Sequence, residues 1–491
     1  MPNDRPTDSR VSGDAPVVVW FRDDLRLGDN PALTAALRTE RPVLALFVFE
    51  EGGDGPRPIG SATRWWLHHS LAELGADIEK RGGRLVLRRG PARDVVPAVI
   101  GEAGAAEIHW NRRYEGGAIA TDKALREALL AEGIAVHSHN GNLIAEPWTV
   151  QKGDGGWFKV FTPFWRALRQ TVGTPRDPYP APRKIKGFEG ALASDDLDAW
   201  GLLPTKPDWA GGLRETWEPG EAGARRRLAG FLDDGIARYK AERDQPAAGA
   251  SSMLSPHLRF GEISPVSIWH AATARSGHDA ATEKFLSEIG WREFSYNLLF
   301  HFPDLATRNF QSRFDEFPWT KGGEDDIAAW QRGRTGVPIV DAGMRQLWQT
   351  GVMHNRIRMV AASYLVKHLL ADWRIGEAWF WDTLVDADIA NNPASWQWVA
   401  GSGADAAPYF RVFNPVLQGR KFDADGAYVR RFVPELAGLP DRFIHAPWEA
   451  PADVLKAAGV QLGRDYPHPI VPLDEGRDRA LRAFEALRDA A

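Results

Sequence analysis

Val17-Val-Val-Trp-Phe21 and Val43-Leu-Ala-Leu-Phe-Val-Phe49 bracket the loop Arg22-Asp-Asp-Leu-Arg-Leu-Gly-Asp-Asn-Pro31, and this pattern decides the fold class. Both apolar runs are short, β-branched and aromatic, so they read as strands buried on both faces. Between them Asn30 precedes Pro31. An amide side chain at the N-cap and proline at the first helical position predict a helix to about Arg38. The pattern then repeats. Ser61 opens a helix to about Arg81 with Trp65, Leu67, Leu71 and Leu74 on its apolar side. Arg84-Leu-Val-Leu87 reads as a third strand, followed by a helix near 92–103. Glu107-Ile-His-Trp-Asn111 is a fourth strand, a helix follows over 118–132, and Ile134-Ala-Val-His137 is a fifth strand. Alternating buried strands and helices predict an α/β, doubly wound parallel sheet. Ligands of such sheets sit beyond the carboxyl ends of the strands, where the loop 21–30 falls. Its charges read more simply as a solvated turn than as a ligand site. No G-x-x-x-x-G-K and no G-x-G-x-x-G follows the first strand, which argues against a P-loop NTPase or an ordinary dinucleotide enzyme.

The chain has 491 residues, more than one core usually spans, so two domains are expected. The polar start has no signal-peptide character, and residues 1–15 are expected to be disordered. No run approaches the roughly 18 apolar residues of a membrane span. The absence of cysteine excludes disulfides and cysteine-bound zinc or iron–sulfur clusters. A cytoplasmic monomer is the expectation. The net charge of −5 does not announce a nucleic-acid binder, although one basic face can sit on an acidic protein. Of the 21 tryptophans, all but Trp20, Trp65, Trp66 and Trp110 follow position 147. The α/β domain is placed at 16–140. Residues 141–220, rich in Gly, Pro, Lys and Asp, read as a connector with one helical piece at 158–171. Residues 221–491 read as an all-helical domain, with helices at 221–240, 263–275, 279–301, 325–332, 340–350, 353–371 and 375–385.

Within that second domain, Asp386-Ala-Asp-Ile-Ala-Asn-Asn-Pro-Ala-Ser-Trp-Gln-Trp398 concentrates acids, amides and tryptophans. Asn392 before Pro393 reads as an N-cap, and Gly401 and Gly403 as stops. Trp396 then shares a face with Asn392, while Trp398 points the other way. Core packing is the simplest reading of either ring; the pair beside two acids suggests a site. Glu288, Trp291 and Arg292 stand at i, i+3, i+4, as do Asn355, Arg358 and Met359, so each triplet shares a helical face. An ion pair is the simplest reading of Glu288 with Arg292. Asn355, Arg356 and Arg358 lie among apolar residues and need partners, and Arg358 with Asp386 is the preferred pair. A metal at Asp386-x-Asp388 lacks a third ligand, and the histidines show no H-E-x-x-H spacing. Ser251-Ser-Met-Leu-Ser-Pro-His257 is a hydroxyl-rich helix entry that reads as capping or as a phosphate contact, which Tyr239 and Arg243 could close over.

At these residues the chain resembles the photolyase/cryptochrome flavoprotein family, and within it the bacterial cyclobutane pyrimidine dimer photolyases. The resemblance is carried by Trp20-Phe-Arg-Asp-Asp-Leu-Arg-Leu-Gly-Asp-Asn30, Leu254-Ser-Pro-His-Leu258, Glu288-Ile-Gly-Trp-Arg-Glu-Phe294 and Met353-His-Asn-Arg-Ile-Arg-Met359. The 386–398 segment and its continuation to Pro408-Tyr-Phe-Arg-Val-Phe-Asn-Pro415 complete it, and it spans about residues 16–485. It implies light-driven repair of UV-damaged DNA by a helical domain holding FAD. Tyr239, Ser251, Ser252, Met253, Leu254 and Ser255 would lie on the phosphate side. Arg292, Asn355, Arg358, Asp386 and Asp388, with Glu288 near them, would surround the flavin and adenine, and Asn392 would face the reactive flavin nitrogen. Trp396, Trp373 and Trp319 match the chain of tryptophans that carries electrons to the flavin. Glu288, Trp291, Asn355, Met359 and Trp398 match the dimer pocket, and Arg356 and Arg411 the DNA-backbone contacts.

The chain departs from the family pattern in places. Ala394-Ser395 stands where Gly-Gly is common, Val352 where a Trp is common, and Gly117-Ala118 where the best-known folate-binding members carry Asn-Glu. The antenna expected first is methenyltetrahydrofolate, with a deazaflavin or no antenna as alternatives. A cryptochrome-type photoreceptor is the first rival; it usually carries a tail beyond the helical domain, and the chain ends near the family's boundary. Repair of (6-4) photoproducts is the second, against which stand Asn355 and Met359 in place of a histidine-based pocket. A redox flavoenzyme without a DNA partner is the third, and Arg356, Arg411 and the Trp291 and Trp398 walls speak against it.

Overall fold

The structure, a computed structural model, describes residues 15–51, 55–320, 323–406 and 410–489. The stretch expected to be disordered lies outside the described residues except for Ala15, and so do Pro408 and Tyr409. Five strands form the N-terminal sheet: β1 Val17–Phe21, β2 Val43–Phe49, β3 Leu85–Arg89, β4 Glu107–Asn111 and β5 Ala135–His139. All pairs are parallel, in the order β3-β2-β1-β4-β5. The helices α1 Pro31–Leu37, α2 Ser61–Glu79, α3 Ala92–Ala103 and α4 Gly116–Ala131 complete the α/β domain. Side chains alternate along β1 as a two-faced strand requires. Val17, Val19 and Phe21 pack toward α1 and α2, while Val18 and Trp20 pack toward α3 and α4. Asn30 caps α1, its Oδ1 accepting from the Leu33 N–H at 3.1 Å.

The loop after β1 overturns the solvated-turn reading. Arg22, Asp24, Arg26, Asp29 and Asn30 are all buried. Charges survive burial only when partners replace water. The Arg26 guanidinium donates to the carbonyls of Asp29, Gly141 and Gly261. Asp24 accepts from the Asn30 and Asn111 side chains. Because Gly261 belongs to the helical part and Gly141 to the connector, this loop joins three regions of the chain.

The connector carries α5 Phe161–Val172 and runs beside β2, where Gly187 bridges to Val43. The helical domain begins with α6 Gly211–Thr216, α7 Glu221–Gly230 and α8 Ile236–Glu242. The single helix expected at 221–240 is interrupted by a π-turn at Phe231–Gly235. Then come α9 Ser255–Arg259, α10 Pro265–Ser276, α11 Ala280–His301, α12 Glu324–Gln331 and α13 Pro338–Thr350. The helix expected at 353–371 is α14 Asn355–Ser363 followed by a second π-turn at Tyr364–His368. It leads to α15 Trp373–Thr383 and α16 Asn391–Ala400. Further short helices lie beyond residue 414 and end in the helix Leu473–Asp489.

The two domains meet through α2 and α15. Gly60 has no Cβ because one would stand 2.3 Å from the Trp381 carbonyl oxygen. Arg57 makes a two-pronged pair with Glu377 at 2.7 and 2.9 Å, and Ser61 donates twice to Asp382. No described helix is long and apolar enough to cross a membrane.

Candidate functional site

A cavity of about 880 Å³ opens among α8, α9, α11, α14 and α16. That is within the range of about 300–1,000 Å³ for cofactor sites. Seven cations against four carboxylates line it, so this wall is basic on a protein whose net charge is −5. Of the residues singled out in the sequence, Tyr239, Ser252, Leu254, Ser255, Glu288, Trp291 and Arg292 stand in the wall. So do Asn355, Arg356, Arg358, Met359, Asp386, Asp388, Asn392, Trp396 and Trp398. Ser251, Met253, Trp319, Trp373 and Arg411 do not. Met253 adopts a left-handed φ of 54° and packs toward the N-terminal layer. Arg411 is exposed, its guanidinium over the Phe413 ring.

The 386–398 segment is built differently from its sequence reading. Asn392 is not the cap of α16. Asp388 does that work, its Oδ1 accepting from the backbone N–H groups of Ala390 at 3.0 Å and Asn391 at 2.7 Å. A carboxylate serves here better than an amide because the helix start carries positive partial charge. Pro393 falls in the first turn, where its missing N–H removes no intrahelical bond. The other Asp388 oxygen accepts from the Tyr296 hydroxyl at 2.8 Å. Burial and the neighbouring Asp388 charge push the Tyr296 phenol up. Asn392 is buried and donates to both the backbone and the side chain of Glu377, at 3.1 and 2.9 Å. Its Oδ1 accepts no hydrogen bond from the described residues. The pair expected between Arg358 and Asp386 is present at 2.8 Å, and Arg358 Nε also donates to the Met353 carbonyl.

Glu288 and Arg292 do not pair with each other. Glu288 accepts from Arg243 and from Lys284. Arg292 turns inward, donating to the Asn142 carbonyl at 2.7 Å with its guanidinium over Tyr296. The reason is competition: a cation one turn back and another across the cavity hold Glu288 at the rim, while a buried carbonyl needs a donor. The serines do not cap α9, which has no side-chain cap bond; Ser255 is its exposed first residue. Burial beside Glu288 raises the Tyr239 phenol, which stays neutral. Arg356 is tied to Asp244 at 2.8 Å and lies over Phe422.

The aromatic wall has a backing residue that the sequence reading missed. Phe161, at the start of α5, stacks on Trp291 at 3.9 Å with the planes 9° apart. Its signal was present in Trp157-Phe-Lys-Val-Phe161, an aromatic cluster inside a polar connector. Trp396 and Trp398 both reach the cavity although they leave α16 on opposite sides, because the cavity also takes in Asn391, Ala394 and Ser395 and so wraps the helix. Trp396 packs edge-on against Phe380 at 4.9 Å and Trp330 at 6.2 Å. The tip of its indole would stand 2.1 Å from a Cβ at Gly376, so only glycine lets α15 approach. One turn back along α15 is Trp373, fully buried, its Nε1 donating to Asn309. Two residues before Trp373, Ala371 bridges to Thr320, the neighbour of half-buried Trp319. Trp396, Trp373 and Trp319 thus belong to one apolar cluster, with Trp319 half-buried at its margin.

A second, smaller cleft of about 100 Å³ lies past the carboxyl ends of β1, β2 and β4, between the domains. Arg22, Glu50, Arg113, Glu115 and Tyr296 line it, and Arg259 and Arg292 border both it and the large cavity. Arg113 pairs with Glu50 and Asp122 there, at 2.6 and 2.7 Å.

Comparison with known proteins finds relatives over nearly the whole chain. The family model described as DNA photolyase covers residues 17–183, and the FAD binding domain of DNA photolyase covers residues 285–486. A deoxyribodipyrimidine photo-lyase of Agrobacterium fabrum is 53% identical over 476 residues, 96% of this chain and 98% of that protein. Cryptochrome-1 of Arabidopsis thaliana is 39% identical over 486 residues, 96% of this chain and 70% of that protein. The crystal structure of a bacterial class III photolyase from Agrobacterium tumefaciens superposes with a TM-score of 0.93 at 53% identity, covering 97% of this chain and 98% of that one.

Proposed function

Because the chain belongs to the photolyase/cryptochrome family, we propose that it is a deoxyribodipyrimidine photo-lyase, repairing cyclobutane pyrimidine dimers in UV-damaged DNA under light. The observation that carries the proposal is the large cavity, in which a basic wall, an amide-and-acid floor and a tryptophan pair converge.

The residues present fit FAD. The cavity has the volume, an excess of cations for a diphosphate, and free hydroxyls at Ser252 and Ser255 on one side. In this reading Tyr239, Ser252, Leu254 and Ser255 hold the phosphates. Arg292, Arg358, Asp386 and Asp388 hold the ring systems, and Asn392 offers its unbonded Oδ1 toward the reactive flavin nitrogen. When bound, reduced FAD supplies the chemistry: excited by light, it lends one electron to the dimer and recovers it after the ring opens. The chain's own part is placement. A dimer inside a duplex cannot reach this cavity, so it must be flipped out. Flipping costs a few kcal/mol, and least for a lesion that pairs and stacks badly. Trp291, backed by Phe161, and Trp398 offer apolar walls for the fused rings. Glu288 and Asn355 offer hydrogen bonds to their polar edges. Arg356 and Arg411 meet the backbone phosphates. Trp396, Trp373 and Trp319 would carry electrons inward to restore the reduced flavin.

The second cleft is the place for an antenna chromophore, at the strand ends where α/β sheets bind ligands. At about 100 Å³ it must open before methenyltetrahydrofolate or a deazaflavin enters. Its paired arginines and glutamates are groups that an anionic chromophore would have to repartner. Spectra of chromophores released on denaturation identify the occupant.

The direct test is blue-light reversal of thymine dimers in an oligonucleotide by purified protein with FAD reduced. Reversal is expected; a FAD-loaded protein that binds the lesion and leaves it intact in light would sink the proposal. Trp291→Ala should weaken binding to dimer-containing DNA roughly tenfold, the scale of a lost base–aromatic stack, with FAD retained. Trp396→Phe should block photoreduction of oxidised FAD while pre-reduced enzyme still repairs. Unimpaired photoreduction would mean another electron route.

A further inference from the structure

Among the described residues, one cluster of ligating side chains lies apart from both cavities. Glu107 and His109 on β4 and His137 and His139 on β5 share a sheet face, because the parallel register sets Glu107 opposite Ala135, His109 opposite His137 and Asn111 opposite His139. None of the four lines either cavity. The same face of the neighbouring β1 is Val17 and Val19, packed under α1. His109 is buried on an interior strand, with Val19 of β1 beside it. Histidines on an edge strand such as β5 can serve only to keep the edge from pairing. That account does not cover His109.

The nitrogens converge. His109 Nε2 stands 2.8 Å from Glu107 Oε1, and His137 Nε2 stands 3.1 Å from the same oxygen. The two imidazoles stack at 4.7 Å. The ligand atoms of Glu107, His109 and His137 all lie within 4.8 Å of one another. Metal–ligand bonds of about 2.0–2.1 Å in tetrahedral array separate donor atoms by ~3.3 Å. The two spacings to Glu107 Oε1 need to open by only ~0.2–0.5 Å to reach that value. The fourth residue completes the pattern: His109 Nδ1 is 3.1 Å from His139 Nε2, in rings only 8° apart. An imidazole bound through Nε2 carries its proton on Nδ1 and donates it to an outer acceptor, which His139 supplies. Arg41 approaches the other Glu107 oxygen at 3.6 Å and can hold the carboxylate in place. His137 is half-exposed, which leaves the site open to solvent on one side.

We propose that Glu107, His109 and His137 form a site for one divalent transition-metal ion such as Zn²⁺, with His139 orienting His109 and water in the remaining position. Two imidazoles and a carboxylate suit zinc, nickel, cobalt and copper better than calcium or magnesium. The ion would clasp edge strand β5 to β4. No local spacing announced this site, because its ligands sit on two strands 28 residues apart.

The test uses tag-free, FAD-containing protein, stripped with a chelator and titrated with Co²⁺ and Zn²⁺. One saturable equivalent is expected, with the visible bands of low-coordinate Co²⁺. His137→Ala and Glu107→Gln should each weaken the affinity at least tenfold. His109 is buried, so its removal risks the fold; the partly exposed His137 carries the test, with circular dichroism and flavin absorbance confirming native protein. His278→Ala, which alters an exposed histidine elsewhere, should bind as the parent does. Absence of saturable binding overturns the proposal, as does unchanged affinity in both His137→Ala and Glu107→Gln, or loss of binding in His278→Ala.

Discussion

Residues 22–30 and residues 386–392 are both short loop segments dense in charged and amide side chains, and both are largely buried. In the first loop the protein itself answers nearly every polar group. Arg26 is satisfied by carbonyls from three segments, Asp24 by Asn30 and Asn111, and Asp29 by Arg176, Ser264 and the Tyr179 N–H. In the second loop the groups are answered too, but beside an open volume. Asp388 caps α16 and meets Tyr296, Asp386 holds Arg358, and Asn392 donates to Glu377, yet all of them still form cavity wall. Composition does not separate a latch from a site. The separation lies in whether the free side of each group faces carbonyls of the same chain or an open volume.

The sharpest way to break this comparison is Arg26→Ala. The change strands three buried carbonyls and removes a cation that faces both Asp24 and Asp29, leaving Asp29 with Arg176. Breaking one partner of a buried charged network costs about 3–5 kcal/mol. Urea unfolding should show that loss. A drop below 1 kcal/mol would mean that the loop is not the latch its hydrogen bonds describe.

Glu293 lies between the two cases. One of its oxygens accepts from the Ile144 and Ala145 N–H groups in the connector, and the other has no hydrogen bond, with Arg292 3.9 Å away. Burial pushes its carboxyl from 4.5 up to about 7, against the pull of Arg292 and those two N–H groups. The folded state therefore favours the protonated form. Its contribution is fully present below about pH 4.5 and is lost as pH rises through about 7. At about 1.36 kcal/mol per pH unit the difference is roughly 3 kcal/mol. Glu293→Gln keeps an acceptor and removes the titration. Relative to the variant, the parent should lose stability by that amount between pH 4.5 and 7. Parallel stability profiles would show that the carboxyl is not held as its surroundings imply.

The sequence made the first half of this picture legible and left much of the second half dark. β1, β2 and α1 were readable because apolar runs and the Asn30-Pro31 cap are local signals. The Arg358–Asp386 pair was readable because an arginine set among apolar residues needs an acid and few were on offer. The pairing of Glu288 with Arg243 and Lys284 was not, since i, i+4 spacing pointed to Arg292 and only the fold brings α8 to the rim. The stack of Phe161 on Trp291 joins residues 130 positions apart. The burial of loop 22–30 was hidden for the same reason: its partners come from Gly141 and Gly261.

The smallest expected effect tests the open side of the comparison. Arg356, proposed to meet the DNA backbone, is held in the free protein by Asp244 at 2.8 Å, with both side chains partly exposed. Before it can meet a phosphate it must leave that carboxylate. Exposed pairs of this kind are worth about 0.2–1 kcal/mol. Asp244→Asn removes the competitor, so lesion-containing DNA should bind more tightly, by up to about fivefold at low salt. The gain should fade as salt rises, because the screened attraction is the one being changed. Arg356→Ala should remove one counterion-releasing contact and flatten the slope of log K against log salt by about 0.9. If Asp244→Asn leaves affinity unchanged while Arg356→Ala flattens the slope, Arg356 reaches the phosphate without leaving Asp244. If neither variant changes DNA binding, Arg356 belongs with the internally answered charges of loop 22–30 and not with the site.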